Sequence, residues 1–314
     1  MRGRNPSPGS LTLRIVKIMR LSTVILPIHR WAEGRKVWRR AEELGFHAAY
    51  TYDHLSWRSF VDGPWFGTVP TLTAAATATE RIRLGTMVAS PNFRHPVTFA
   101  KDLMTLDDVS GGRLTLGIGA GGTGFDATVL GQSEWTPRER ADRFAEFLAL
   151  TDTLLTRDAT TYQGGFYSAV DARMTPGCLQ QPRIPFHIAA TGPRGLRLAA
   201  EYGQGWITYG DPKGGTEDTV ATAQAAVESQ LTRLAAACEE RGRDVAELHK
   251  VLLHSSSSPE RPLDSLDAFV DYAGRYRELG ITEIILHWPV PDSIFAADAD
   301  TFQRIALEGV AKLG

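Results

Sequence analysis

The chain has 314 residues, 43% of them hydrophobic and 22% charged, with a formal net charge of −2. That balance is ordinary for a globular protein: it offers no basic field for nucleic acid or an anionic membrane, and no apolar run is long enough to span a bilayer. Cys178 and Cys238 lie far apart and make no metal-binding spacing, so the expectation is a reduced, cytoplasmic protein whose core needs no disulfide.

Residues 1–18 are basic and rich in Pro, Ser and Gly. They read as a disordered extension, or as sequence upstream of a true start at Met19, ahead of one domain over 19–314. From Arg20 the pattern is regular. An apolar strand over Leu21–Leu26 is stopped by Pro27, and a helix over Glu33–Leu44 ends at Gly45. Phe46–Tyr52 is the second strand, followed by Asp53-His54 and an aromatic loop, Leu55–Gly67. A helix over Val69–Thr79 leads to a strand at Ile82–Val88, with Ser90, Asn92 and His95 after it. Pro96–Val109 is a helix with proline in its first turn. Ser110-Gly111-Gly112 ends it, Arg113–Leu116 is the fourth strand, and Gly117, Gly119, Gly121 and Gly122 follow. Side chains are missing there as if the backbone must approach something flat or phosphorylated.

Pro137–Leu155 is an amphipathic helix, and residues 158–183 read as an excursion with a hairpin around Gly164-Gly165. The alternation then resumes. The remaining strands are Phe186–Ala190, Gly205–Tyr209, Leu248–His254 and Thr282–His287. The helices between and after them are Arg194–Tyr202, Thr216–Arg241, Leu266–Leu279 and Ala297–Leu313. Eight strands alternating with eight helices in this length predict a (β/α)8 TIM-type barrel. An open doubly wound sheet is disfavoured, because no Gly-x-Gly-x-x-Gly follows the first strand and the chain does not divide into halves.

A barrel of this kind carries its active site at the carboxyl ends of its strands. The residues placed there are Pro27, His29, Asp53, His54, Met87–Ser90, Gly119–Gly122, Thr191–Pro193, Tyr209, His254, His287 and Trp288. His54 stands out as a proton-handling group, with Asp53 able to orient it; the plain alternative has Asp53 cap the loop and His54 pack beside Trp57. Thr191, Gly192, Pro193 and Arg194 open a helix after a strand, where free N–H groups and the helix dipole suit an anion; an ordinary βα turn has the same composition. Trp57, Trp65 and Phe66 could stack on a flat ring or form a lid packed on itself. None of the eight histidines stands in a recognised zinc pattern, so no metal is expected. No nucleophile elbow or Walker loop is present.

Four stretches carry a family resemblance: TYDH, RIRLGTMV, RHPVTFAKDLMTLDDVSGGRLTLGIGAGG and TGPRGLRLAAEYGQGWIT. They are similar to the bacterial-luciferase-like oxidoreductases, over about Met19 to Pro289. The resemblance implies a TIM-type barrel holding FMN or coenzyme F-420, an 8-hydroxy-5-deazaflavin, at its carboxyl face. It places His54, with Asp53, at the reacting ring as the catalytic pair. It assigns Met87 and Val88 to a bulge, often with a cis non-prolyl peptide, that props the ring, and extends the ring's lining through Ala89 and Ser90 to Gly119, Gly121 and Gly122. Thr191, Gly192, Pro193 and Arg194 would hold the cofactor phosphate. It further implies a small organic substrate, a homodimer, and in the FMN case a separate reductase supplying reduced cofactor. FMN would permit oxygen insertion; a deazaflavin, with carbon at the reacting position, carries hydride. Gly122 stands where the family's glucose-6-phosphate dehydrogenases carry a glutamate, which argues against that substrate. Specificity is expected in Leu55–Gly67, Phe125–Trp135 and residues 158–183. Two rivals remain: a metal-dependent barrel hydrolase and a non-catalytic flavin-type binder.

Overall fold

Eight short parallel strands close on one another, and the alternation of their side chains explains why. In β1 (Arg20–Val24) and the residues after it, Val24 and Leu26 point into the barrel, while Leu21 and Ile25 face the surrounding helices. The computed structural model describes residues 19–215 and 217–313; the N-terminal extension read from the sequence lies outside them. The chain runs through α1 (Trp31–Glu43), β2 (Ala48–Thr51), α2 (Thr68–Ala78), β3 (Arg83–Thr86), α3 (Pro96–Val109) and β4 (Leu114–Gly119). A four-residue helix, α4 (Phe125–Thr128), precedes α5 (Pro137–Thr156). The antiparallel hairpin β5 (Ala159–Gln163) and β6 (Ser168–Arg173) is the expected excursion. Then come β7 (Phe186–Ala189), α6 (Pro193–Tyr202), β8 (Gly205–Thr208), α7 (Val220–Glu239), β9 (His249–Leu253), α8 (Leu266–Glu278), β10 (Glu283–His287) and α9 (Ala299–Arg304).

The closed order is β1-β10-β9-β8-β7-β4-β3-β2, so chain neighbours are spatial neighbours once the hairpin is set aside. β1 closes on β10 with Arg20 opposite Glu283 and Val24 opposite His287. Two apolar layers result. Trp38, Phe99, Phe147, Trp206 and Phe269 fill the space between strands and helices. Tyr50, Met87, Ile207, Val251 and Ile285 fill the barrel itself. Each such side chain contributes roughly 1.5–3 kcal/mol by leaving water.

Local signals set the ends. Thr136 and Glu139 form a reciprocal capping box at the start of α5. The Arg113 guanidinium collects the carbonyls of Ala76, Thr79 and Ile82, tying the end of α2 to the start of β4. Glu146 on α5 accepts from the N–H groups of Gly165, Phe166 and Tyr167, which seats the hairpin turn.

Three boundaries differ from the sequence reading in an informative way. β3 stops at Thr86, and the next unit, Met87-Val88, is a cis peptide. β4 continues to Gly119 because Gly117 and Gly119 stay in the sheet: Ala89 N–H donates to Gly117 O at 2.8 Å and Gly119 N–H to Ala89 O at 2.9 Å. The last helix also ends early, at Arg304, and continues as a π-turn over Ile305–Gly309. Among the described residues no helix is long and apolar enough to cross a membrane.

Candidate functional site

His54 leaves the end of β2 on the rim of the barrel mouth, its side chain 31% exposed. Its Nδ1 is hydrogen-bonded to a carboxylate oxygen of Asp126 on α4. The other oxygen of Asp126 accepts the Leu55 N–H at 2.8 Å, and the His54 carbonyl accepts from Trp65 Nε1 at 2.8 Å. Backbone and ring are both held. A carboxylate on Nδ1 favours the tautomer that carries its proton there and leaves Nε2 available on the open side.

Asp53, expected beside His54, is directed elsewhere. It is 1% exposed and takes both of its hydrogen bonds from Arg94, at 2.7 Å to Nε and 2.6 Å to Nη2. Arg94 itself lies over the Phe99 ring at 4.4 Å. The pair therefore ties the end of β2 to the β3–α3 loop. Adjacent residues diverge because consecutive side chains after a strand point to opposite sides. Asp126 lies 72 positions from His54, inside a loop read from the sequence only as a specificity segment. The visible signal was an acid just after the glycine run.

The glycines also have different reasons. A Cβ at Gly117 would stand 2.1 Å from the Thr86 carbonyl oxygen, and one at Gly119 would stand 3.2 Å from Val88. One at Gly121, whose φ is +76°, would meet the Asn92 amide at 2.5 Å. The room these three leave is taken up by the protein, in fitting the cis Met87-Val88 unit and Asn92 against β4. Gly122 alone of this run faces open space, with its carbonyl held by Asn92 Nδ2 at 3.2 Å. Ala89 is fully buried, and Ser90 is buried with its hydroxyl accepting the Asn92 N–H at 3.4 Å.

The remaining strand-end histidines are enclosed. Burial holds His287 down to about 3 and His254 to about 4. His287 is bonded to the Tyr52 hydroxyl at 2.7 Å and stacks on Phe295 at 4.1 Å. His254 Nε2 meets the Glu260 carbonyl at 3.2 Å. His29 lies in a mostly apolar pocket of about 220 Å³ with Trp31, Trp38 and Phe66, where burial lowers its pKa. Trp57 stacks against Phe295 at 5.7 Å and tilts against Phe60, so much of the aromatic loop packs on itself. Together Leu26, Tyr52, Met87, Val88, Ala189 and Leu253 give the mouth an apolar wall.

On the β7 side, α6 begins at Pro193 with Gly192 as an N-cap that has no side-chain hydrogen bond and open space around its Cβ position. Thr191 is half-buried beside it, and the Arg194 guanidinium is bonded to Asp142 of α5. Near the start of α5 sits a group the sequence reading did not single out. Arg143 is 6% exposed, with its guanidinium over the Trp135 ring at 5.3 Å. Trp135 Nε1, Arg140 Nη1 and the Tyr167 hydroxyl are buried without a partner. Burial pushes Tyr167 up to about 12. Unpaired buried donors are costly and mark a place where an acceptor fits. Among the described residues no group of three or more His, Cys, Asp or Glu side chains is arranged to hold a metal ion.

Residues 17–286 match the family model described as luciferase-like monooxygenase. An F-420-dependent glucose-6-phosphate dehydrogenase of Beutenbergia cavernae is 38% identical over 171 residues, 53% of this chain and 49% of that protein. The chain thus spans about half the length of that relative. A 4-hydroxyprotoasukamycin monooxygenase of Streptomyces nodosus subsp. asukaensis is 32% identical over 265 residues, 80% of this chain and 68% of that one. Among solved structures, an F-420-dependent secondary alcohol dehydrogenase superposes with a TM-score of 0.75 at 17% identity, covering 92% of this chain and 99% of that one. The F-420-dependent tetrahydromethanopterin reductase of Methanopyrus kandleri gives 0.72 at 18%, covering 94% and 99%. At those identities the structures speak to the fold.

Proposed function

The chain belongs to the luciferase-like monooxygenase family, and from that premise we propose that it is an oxidoreductase using FMN or coenzyme F-420 at the carboxyl mouth of its barrel. The observation that carries the reading is the His54–Asp126 pair, opening onto an apolar wall on the same face as a helix N-terminus without a side-chain cap. When bound, the ring supplies hydride transfer or, as reduced FMN, oxygen chemistry on a small organic substrate. The protein's own residues do the rest. Val88 and the backbone of Gly122 line the ring, with Met87, Ala89, Ser90, Gly119 and Gly121 packed behind them as its support. Thr191, Gly192, Pro193 and Arg194 hold its anionic end. The unpaired donors of Trp135, Arg140 and Tyr167, with Arg143 over the Trp135 ring, lie around the start of α5, whose Asp142 is bonded to Arg194, and add donor groups on that side.

His54 holds and moves a proton at Nε2, and Asp126 keeps the ring turned so that this atom faces the mouth. Asp53 acts through Arg94, shaping the loop that carries Ser90 and Asn92. Family membership favours this reading over a barrel hydrolase. Gly122 has no acid to offer, which argues against a sugar-phosphate substrate. The reading includes a cytoplasmic homodimer and, with FMN, a separate reductase as electron source.

The test is titration of the purified protein with FMN and with F-420, followed by turnover with the ring that binds. Saturable binding of one of them, weakened by Arg143→Gln, supports the assignment. Binding of neither overturns it.

A further inference from the structure

The end of the barrel opposite His54 is built from charge and imidazole. Arg20 opens β1, Arg83 opens β3, His249 opens β9 and Glu283 opens β10; His187 is the second residue of β7, and His47 directly precedes β2. Strand register brings them together. Arg20 is opposite Glu283, Ala48 beside His47 is opposite Arg83, and His187 is opposite Gly205, which is itself opposite His249. Arg20 Nη1 lies 3.1 Å from His249 Nε2, and the rings of His187 and His249 are 5.8 Å apart. A Cβ at Gly205 would stand 2.6 Å from the His187 ring, so the absent side chain is what lets that imidazole lie inside the barrel.

The cluster holds more base than acid. Two guanidinium groups and three imidazoles face one carboxylate, and Glu283 is already bonded to the hydroxyls of Tyr50 and Ser22. Among the described residues neither Arg20 nor Arg83 forms an ion pair within 4.0 Å. Arg83 spends its bonds on the Leu114 carbonyl, Thr115 and Gln180. Asp107, a further acid acting on Arg83, is taken up by Gln180. His187 is only 7% exposed, and its Nδ1 has no partner. Around it Arg20, His47, Arg83 and His249 are half-buried, so partly exposed basic groups surround a buried ring nitrogen that has no partner.

We propose that the amino-terminal mouth of the barrel is a binding site for a small oxyanion, seated between Arg20, Arg83 and the His187 imidazole. The ligand class is a phosphoryl, sulfate or carboxylate group, which offers acceptors to both guanidinium forks and to the buried ring nitrogen. This site is independent of the cofactor reading, since it lies at the other end of the strands. Burial together with the surrounding cations holds His47 to about 4 and His187 to about 3. An anion among them favours their charged forms, so binding tightens as pH falls.

The experiment is calorimetric titration of the full chain with sodium sulfate against sodium chloride at matched ionic strength, at pH 5.5 and pH 8. Sulfate keeps its charge across that range. The expected result is saturable binding, tighter at pH 5.5, weakened at least tenfold by Arg20→Gln and by His187→Ala, and unchanged by Arg233→Gln on the exposed face of α7. Because His187→Ala could fail to fold, His47→Gln on the rim repeats the test and should weaken binding and flatten its pH dependence. Absence of saturable binding at both pH values, or binding lost with Arg233→Gln and kept with Arg20→Gln, overturns the site. Phosphate and acetate titrations then separate a phosphoryl from a carboxylate ligand, and preference for either supports the site.

Discussion

The two mouths of this barrel share the same strands and treat histidine in opposite ways. At the carboxyl mouth, His54 is 31% exposed and has a carboxylate on one nitrogen and an open side at the other. At the amino mouth, His187 is sealed to 7% exposure, has cations for neighbours and has no partner at Nδ1. The first arrangement can hand a proton back and forth. The second resists protonation until an anion compensates. What decides between them is the set of neighbours, not the side chain.

The sharpest way to break the contrast is His54→Ala. We expect turnover to fall by about 10²–10⁴-fold, the usual scale for removing a general acid–base group, with cofactor affinity nearly unchanged. Steady-state rates and a cofactor titration on the same preparation check both halves. If turnover is near normal, the proton-handling role is lost.

Arg94→Ala acts on the neighbouring residue and should be read in stability. It leaves the Asp53 carboxylate buried and unpaired, so urea unfolding should show a loss of about 3–5 kcal/mol. A change below about 1 kcal/mol would mean that the pair is replaceable by water.

Asp126→Asn keeps the shape beside His54 and removes the charge. Turnover should drop about 10–100-fold, with folding intact by circular dichroism, because the amide no longer selects the same tautomer. An unaltered rate would make Asp126 a brace for Leu55 and nothing more.

The smallest effect per increment is the pH dependence of stability. His187 and His47 titrate lower in the folded protein than their ordinary 6.5. The unfolded chain therefore binds more protons below that value, and stability falls as pH drops from about 6.5 towards 4. The slope is on the order of 1 kcal/mol per pH unit for each fully coupled group. Urea midpoints between pH 7 and 4 measure it, and His187→Phe should make it shallower while buried His254 and His287 still contribute.

Much of the architecture was legible in the residues. Glycine after α1 and proline at the start of α3 and α6 mark helix ends by backbone chemistry alone, and the apolar runs mark strands. The barrel rule then puts His54 at the carboxyl ends of the strands. Partners were not legible. Asp53 adjoins His54 in sequence yet bonds Arg94, and Asp126 reaches His54 across 72 positions. The glycine run was readable as close approach, but Gly117, Gly119 and Gly121 turn out to be approached by Thr86, Val88 and Asn92.

By itself, then, the order of amino acids determined the count and direction of the strands, because periodicity and turn chemistry are local properties. Which carboxylate meets which imidazole, and which imidazole is left among cations without a partner, was decided only when the eight strands closed. Those contacts join segments far apart in the chain, and they depend on register and shear, which no single segment encodes.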